Sequence, residues 1–295
     1  MKVLGICLIL LVTFNSNKLL AQPSIVQSQT ARQIIGQMQT HLTCPWNNET
    51  VDTFKTGNPD DTVTGIAVCM FADMKTLRKA VASKCNLIIV HEPTFYNHLD
   101  KTDVLKIDPV YDKKIAYINE HKLIIFRFHD HWHRTVPDGI YMGMVNKLGW
   151  KANQIDSSMT YFKFNDQTVE EFAQKLQEKL KGSQLRIIGD PQMHFTNVAL
   201  AVGAPGSSSH INLLTNDFTE LLVAGEASEW ETYEYVLDAS MMGMKKAVIF
   251  TGHIASEEAG MEYCATWMKT FIPEIPITYF ENGSSYWSVQ KPIVK

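Results

Sequence analysis

The chain has 295 residues, of which 45% are hydrophobic and 20% charged, so it is long enough for one large globular domain or two smaller ones. Its formal net charge of -4 excludes the strongly basic surface typical of nucleic-acid-binding proteins, and we expect no nucleic-acid partner.

The N-terminal segment has the pattern of a secretory signal peptide. Lys2 precedes the apolar stretch VLGICLILLV, and the small residue Ala21 stands at a suitable cleavage point. The stretch is too short to span a bilayer permanently, so we expect residues 1–21 to be removed and no stable membrane insertion afterwards. The mature protein would then be exported, to the periplasm or the extracellular space. An uncleaved apolar anchor is the alternative.

Four cysteines remain beyond this segment. Cys69 lies in a strand-like apolar run and Cys264 in a helix-like one, where a free thiol behaves as a small hydrophobic group. A protein of this size does not need disulfide bonds for stability. We therefore expect mostly free thiols.

The first half of the chain alternates between predicted helices and strands. After a helix over residues 30–42, Ile- and Val-rich strands are predicted at 62–71, 86–91 and 123–128, separated and followed by helices at 74–84, 110–122 and 139–150. Such alternation predicts βαβ units and a parallel sheet.

The second half begins a new series. A strand at 159–164 precedes a helix whose capping box is formed by Thr168 and Glu171. Strands at 184–190, 196–206, 221–226, 246–253 and 277–282 follow, with helices between the last three. We predict an α/β protein of two lobes, residues 22–155 and 156–295, with parallel or mixed sheets. A crossover that returns residues 245–295 to the first lobe is an open alternative.

The first polar cluster ends the strand in "LIIVHEPTFYNH". His91 and Glu92 follow directly on the apolar run, and neighbouring side chains on extended backbone point to opposite sides. Each can therefore hold a different ion of a close pair. The alternative is a histidine bonded to a carbonyl group, beside a solvated glutamate.

The second cluster, "FRFHDHWHR", places three histidines and an aspartate at the end of the next strand. His129 and His133 are four residues apart with His131 between them, and Asp130 adds a carboxylate. Imidazole and carboxylate groups suit Zn, Mn or Fe. The alternative is a hydrogen-bonded loop held by Trp132.

The third cluster lies in "IFTGHIASEEAG". His253 ends a strand, and Glu257 follows at a helix start marked by Ser256. A carboxylate here can bridge two cations. Since ligands bind beyond the carboxyl ends of strands in such sheets, three strand ends with histidine and acid together predict a metal site.

These segments resemble the Nif-three-like dinuclear metal-centre family, the GTP cyclohydrolase I type 2 homologues, over roughly residues 30–285. The family's His-His-Pro is matched by "IIVHEP", with Glu92 in place of the second histidine. Its H-x-x-x-D is matched by "FHDHWHRTVPDG", with His133 in place of the aspartate. "GHIASEEAG…ITYFEN" matches its GH-x-x-x-E block, while "LLVAGEASEW" and "ALAVGAPGSSS" resemble two further segments.

The resemblance implies two similar α/β lobes around a cleft with two divalent metal ions (Zn, Mn or Fe), within a homo-oligomer, usually a hexameric ring. Carried over by position, the metal ligands are His91, Glu92, His133, His253 and Glu257, with Glu257 as the bridge. His129 and Asp130 are reserve ligands or support the ligands from behind.

The leading functional hypothesis is a metal-dependent hydrolase of a small molecule, acting through metal-activated water. Glu226 or Glu229 would shuttle a proton, which rests mainly on the resemblance. A turn at Gly206, Ser207 and Ser208 would hold an anionic group of the substrate, or would simply cap a helix. The competing hypothesis is a non-catalytic, metal-holding or metal-storing oligomeric scaffold.

Overall fold

A computed structural model describes residues 28–181 and 183–287. The predicted signal peptide lies outside this part of the chain, so its cleavage and the export of the protein remain predictions. The described part contains ten strands: β1 (Phe54–Thr56), β2 (Ile66–Cys69), β3 (Leu87–Val90), β4 (Ile124–Arg127), β5 (Tyr161–Thr168), β6 (Arg186–Ile188), β7 (His194–Ala201), β8 (Leu221–Ala224), β9 (Ala247–Phe250) and β10 (Ile277–Tyr279).

The same residues contain nine α-helices: α1 (Ala31–His41), α2 (Met74–Ala82), α3 (Pro109–Glu120), α4 (Asp130–Arg134), α5 (Gly139–Leu148), α6 (Val169–Lys179), α7 (Ser207–Thr215), α8 (Glu234–Met241) and α9 (His253–Lys269). Short 3-10 turns at Asp103–Leu105 and Lys151–Asn153 and a π-helical turn at Glu229–Tyr233 complete the elements. Within the described ranges, we find no helix with the length and apolarity needed to cross a bilayer.

The first sheet has the strand order β1-β4-β3-β2-β10. The sheet is parallel from β4 through β3 and β2 to β10, whereas the edge strand β1 is antiparallel to β4. Every residue of β2, β3 and β4 is buried. The near-continuous Ile and Val runs of these strands follow from burial on both faces of the sheet.

The second sheet has the order β5-β7-β8-β9-β6, with parallel β7, β8 and β9 in the middle and antiparallel strands at both edges. One apolar cluster links the two sheets, since it contains Ile66 and Ile124 from the first and Val198 and Leu221 from the second. The predicted α/β architecture with mixed sheets is therefore confirmed.

The chain crosses back to the first sheet near its C-terminal end. Helix α9 follows β9 of the second sheet, and β10 then pairs parallel with β2 of the first. Just beyond β10, the buried Asn282 side chain accepts hydrogen bonds from the backbone N–H groups of Met70 and Phe71 and donates one to the Phe71 carbonyl. These bonds tie the end of the described chain to the end of β2.

A glycine contact fixes α9 against α5. A Cβ atom at Gly143 would lie 2.3 Å from the Ala259 carbonyl oxygen, and one at Gly260 would lie 2.5 Å from Ile140 Cα. The helix backbones therefore touch at a distance that only glycine permits. Trp132 adds a hydrogen bond from its indole N–H to the Gly260 carbonyl (3.2 Å). Helix α9 is thus packed directly against α5 and Trp132.

All four cysteines beyond the predicted signal peptide are free thiols in the structure, as expected. Cys69 and Cys264 are fully buried, and burial raises the pKa of both thiols. They pack as small apolar groups of the core.

Candidate metal site

His91 and Glu92 lie at the carboxyl end of β3, beside the carboxyl end of β4. The His91 ring is completely buried, and its Nδ1 hydrogen-bonds to the Phe128 carbonyl (3.2 Å). Among the described residues its Nε2 has no hydrogen-bond partner, and it lies 3.7 Å from Glu257 Oε2. A buried ring nitrogen without a partner is uncommon, because leaving it unpaired costs about 1–3 kcal/mol.

The histidine cluster after β4 forms a short helix rather than a loop. His129 caps α4 and His133 lies within it, so the two imidazoles are one turn apart on one side. His131 points the other way and is buried. Its Nδ1 binds Asp52 (2.7 Å) and its Nε2 accepts from the Asn47 N–H (2.9 Å). His131 therefore anchors the segment 47–52 and does not join the other histidines.

Helix α9 begins at His253, three residues before the predicted start at Ser256. Gly252 has a φ of +89°, which allows the chain to turn directly from β9 into the helix. His253 and Glu257 consequently occupy successive turns on one face. Ser256 lies inside the helix, where its hydroxyl donates to the His253 carbonyl (2.7 Å) and accepts from the Gly203 N–H (2.8 Å).

Four imidazoles share one arrangement around this cluster. Each Nδ1 is bonded outward to an oxygen: His91 to the Phe128 carbonyl (3.2 Å), His129 to Asp130 (2.9 Å), His133 to Asp138 (3.0 Å) and His253 to Glu226 (3.2 Å). Each Nε2 is therefore turned inward, towards the carboxylates of Glu92 and Glu257. A bond at the second nitrogen that fixes tautomer and ring orientation is typical of metal-binding histidines.

Two carboxylates lie among the inward nitrogens. Glu257 Oε1 is 3.8 Å from His133 Nε2, and its Oε2 is 3.0 Å from His253 Nε2. Glu92 Oε1 is 3.1 Å from His253 Nε2 and 3.9 Å from His129 Nε2. Glu257 thus faces different imidazoles with its two oxygens.

Two overlapping groups of donor atoms are compact enough to hold an ion. The atoms of His91, His129 and His133 lie within 4.8 Å of one another, as do those of His91, Glu92 and Glu257. His91 belongs to both groups. This set of buried and half-buried imidazoles and carboxylates fits a divalent cation such as Zn, Mn or Fe.

The electrostatics of the site favour added positive charge. Burial, followed by the nearby His133 and His129 rings, lowers the pKa of His91 well below its usual value, so its ring stays neutral. Burial also opposes protonation of His253, but its bonds to Glu226, Glu257 and Glu92 outweigh burial and raise its pKa to about 12. The His253 imidazolium thus balances part of the negative charge of the surrounding acids.

A buried charge network supports Glu92 from behind, and sequence reasoning missed it. Arg127 is fully buried, with its guanidinium 3.5 Å from Glu92 Oε2 and 3.8 Å from Asp100 Oδ2. Asp100 also pairs with Lys55 (3.2 Å). The available signal was an arginine inside the otherwise apolar strand "LIIFRF". Arg127 lies beside Glu92 Oε2, on the side away from the cluster, and Glu92 Oε1 faces the imidazoles.

Asp130, predicted as a reserve ligand or as a support behind the ligands, makes contacts of the second kind. Its carboxylate binds His129 Nδ1 and accepts from the Thr50 hydroxyl (2.8 Å) and the Val51 N–H (3.2 Å). Burial raises the pKa of Asp130, but these hydrogen bonds outweigh it and lower the pKa to about 2. Asp130 therefore orients His129, and it is His129 Nε2 that faces the cluster. Asp138, which sequence reasoning missed, orients His133 in the same way.

The residues predicted to serve the substrate are not all near the cluster. Glu226 binds His253 Nδ1, whereas Glu229 is exposed and pairs with Arg186. The predicted anion turn leads into α7, but the Ser207 hydroxyl there donates to the Glu231 carboxylate. An acid already in contact with this helix start disfavours a bound anion there. Neither Gly206 nor Ser208 contacts the cluster among the described interactions.

The turn between β7 and α7 contributes instead through Gly203. A Cβ atom at this position would lie 2.1 Å from Glu257 Oε1, and the backbone has a φ of +65°. Gly225 is equally constrained, since its Cβ would lie 2.2 Å from the Gly203 carbonyl oxygen. The turn after β7 thus supports the Glu257 carboxylate through a backbone position that has no Cβ atom.

The fold and the cluster together define an α/β protein with a candidate His/Glu metal-binding group. Residues 31–282 match the model of the family described as Duf34/NIF3 (NGG1p interacting factor 3). The chain therefore belongs to the Duf34/NIF3 family, as its motifs predicted. It is also 24% identical, over 241 residues, to a protein of Chlamydia pneumoniae named GTP cyclohydrolase 1 type 2 homolog, covering 78% of this chain and 88% of that protein.

Solved structures agree in fold. The Staphylococcus aureus protein SA1388 aligns with a TM-score of 0.68 at 14% identity, covering 89% of this chain and 99% of that one. A Bacillus cereus protein related to NIF3 aligns with a TM-score of 0.68 at 12% identity, covering 89% and 100%. At these identities the similarity establishes the shared architecture.

Proposed function

We propose that the cluster binds two divalent metal ions and that the protein is a metal-dependent hydrolase of a small molecule. The observation that carries the proposal is the common orientation of four imidazoles. Each Nδ1 is bonded outward, so that four Nε2 atoms face Glu92 and Glu257. Within residues 28–181 and 183–287, the buried His91 Nε2 has no hydrogen-bond partner, which fits a role as a metal ligand.

The donors divide between two neighbouring positions. One set contains His91, His129 and His133, with Glu257 Oε1 near His133, and the other contains His91, Glu92 and Glu257. His253 Nε2 adjoins the second set, 3.1 Å from Glu92 Oε1 and 3.0 Å from Glu257 Oε2. A bridging role for Glu257 follows from its two oxygens facing the two sets. The predicted exchange of a family histidine for Glu92 is accompanied here by Arg127, which offsets the extra negative charge.

Two bound divalent ions would lower the pKa of a shared water toward neutrality and polarise a substrate oxygen. The residues of this chain position that chemistry. Asp130, Asp138 and Glu226 hold three imidazoles in one tautomer. Of the two acids expected to shuttle a proton, we retain Glu226, whose half-exposed carboxylate links His253 to solvent. Glu229 pairs with Arg186, and we therefore assign it no part in proton transfer.

Metal content measured by elemental analysis tests the proposal directly. We expect two ions per chain in the purified protein and one or none in Glu257→Gln. Glu258→Gln is the matched control, because the neighbouring Glu258 accepts a hydrogen bond from the Gly283 N–H (3.1 Å), away from the cluster. Equal metal content in both variants would contradict the shared centre.

A hydrolysis screen separates the enzyme from a metal-holding scaffold. Phosphoesters, linear amides and cyclic amides would be tested with Mn, Fe and Zn. We expect turnover that is lost in His253→Ala while the circular dichroism spectrum is preserved. Full metal occupancy without turnover on any compound would instead favour the scaffold. Native mass spectrometry would test the predicted homo-oligomer, including the hexamer.

A further inference from the structure

An open cavity of about 580 Å³ adjoins the metal cluster at Glu92. Its volume lies in the range of small-molecule binding sites, which are lined mainly by apolar and aromatic groups with a few polar ones. The lining has this character, and its main members are Phe71, Met74, Thr94, Tyr96, Lys114 and Ile254. The metal cluster does not use these six side chains.

Two polar residues of the lining have unused hydrogen-bonding capacity. Thr94 is fully buried, and among the described residues its hydroxyl has no partner. The Lys114 ammonium, also buried, donates to the Thr94 carbonyl (2.6 Å) and lies 5.0 Å from the centre of the Tyr96 ring. That hydrogen bond occupies one of its three N–H groups. Burial lowers the pKa of Lys114 to about 8, so it is still mostly charged at neutral pH.

We propose that this cavity binds the ring of an aromatic or heteroaromatic substrate that carries a hydrogen-bond acceptor near Lys114 and Thr94. The inference rests on the proposed function, because Glu92 belongs both to the cavity wall and to the metal cluster. The apolar lining accepts a flat ring. The acceptor on the ring provides a hydrogen-bond partner for the Thr94 hydroxyl and for the Lys114 ammonium. Two carboxylates also line the cavity, but Asp73 already accepts hydrogen bonds from Thr76 and Asn282, and Glu92 faces Arg127 and His253. Lys114 therefore remains to repel a ligand whose polar group is a cation.

Calorimetric titration of chelator-treated protein tests this preference without any metal. Three compounds share one ring: naphthoate, naphthamide and naphthylmethylamine. We expect both acceptor compounds to bind and the cationic amine to bind at least about tenfold more weakly. Failure of both acceptor compounds to bind, or equal affinity for the amine, would overturn the proposal.

Variants assign the binding to this cavity. Met74→Trp fills it and should abolish binding, whereas Met241→Trp, at an exposed position of α8, should not. Thr94→Val removes a hydroxyl without a hydrogen-bond partner in the described part of the chain, so the unfolding free energy should be unchanged while affinity for both acceptors falls severalfold. Lys114→Met should weaken naphthoate about tenfold and leave the amine unaffected or tighter. Unchanged affinities in all three cavity variants would refute the assignment.

The two proposals can fail separately. If metal binding holds but no ring compound binds, only the cavity inference is lost. If ring compounds bind as expected but the protein takes up no metal, the proposed hydrolase is lost, and the cavity remains a ring-binding site without a reaction.

Discussion

Replacing Gly203 by alanine should disturb the metal cluster without removing any charged group. The new Cβ would lie 2.1 Å from Glu257 Oε1 and 2.7 Å from its Cδ, so one of the two must move. The Glu257 side chain is almost fully buried between His133 and His253 and has little room to shift in place. We expect metal affinity to fall about 10–100-fold, as when a residue supporting a ligand is lost.

Gly206→Ala is the matched control. Gly206 also has a positive φ, +89°, but a Cβ there meets nothing within 4 Å. Alanine at these positive φ angles costs roughly 1–3 kcal/mol at either position. A difference in metal affinity between the two variants therefore reports the collision with Glu257. Urea unfolding in the presence of chelator gives the stability of each variant, and titration against a chelating dye gives its metal affinity.

The expected pattern has two parts. Both variants lose stability from the backbone, and Gly203→Ala alone loses metal affinity. If the two variants bind metal equally well, either Glu257 is not the shared ligand or the turn at Gly203 adjusts without a free-energy cost. Either result would contradict the prediction that the backbone at Gly203 supports this carboxylate.

Three further predictions concern stability. Arg127→Met should lower the free energy of unfolding by about 3–5 kcal/mol in urea, because Glu92 and Asp100 lose a buried partner; a loss below about 1 kcal/mol would mean that the network contributes little. Gly36→Ala, in α1 with open space around it, should raise that free energy by about 1 kcal/mol, checked by the same denaturation. Chelation should lower the melting temperature of the wild type and leave that of Glu257→Gln nearly unchanged in thermal scans; equal shifts would point to metal bound elsewhere.

The regular elements could be predicted because their patterns are local. The buried strands β2, β3 and β4 are continuous apolar runs, and the capping box at Thr168 and Glu171 marks the start of α6. The three-residue edge strand β1 was missed, since so short a segment carries no periodic signal. Strand order is set by contacts between distant segments, and no local pattern encodes it.

The same distinction holds for the site. Strand ends revealed His91, Glu92 and His253, but the role of each histidine after β4 depended on helix geometry. Two residues along α4 turn a side chain by roughly 200°, which places His131 on the opposite side from His129 and His133. The partner that holds His131 is Asp52, 79 residues away in sequence, and sequence spacing does not predict such pairs.

The position of β10 beside β2 has a consequence for biosynthesis. While the polypeptide is emerging from the ribosome, β2 exposes an unpaired hydrogen-bonding edge until residues 277–279 are released. Helix α9, with His253 and Glu257, emerges only shortly before them. The nascent first sheet therefore stays open at that edge, and vulnerable to wrong pairing, for most of translation. Closure of the sheet and completion of the metal-binding group become nearly simultaneous events.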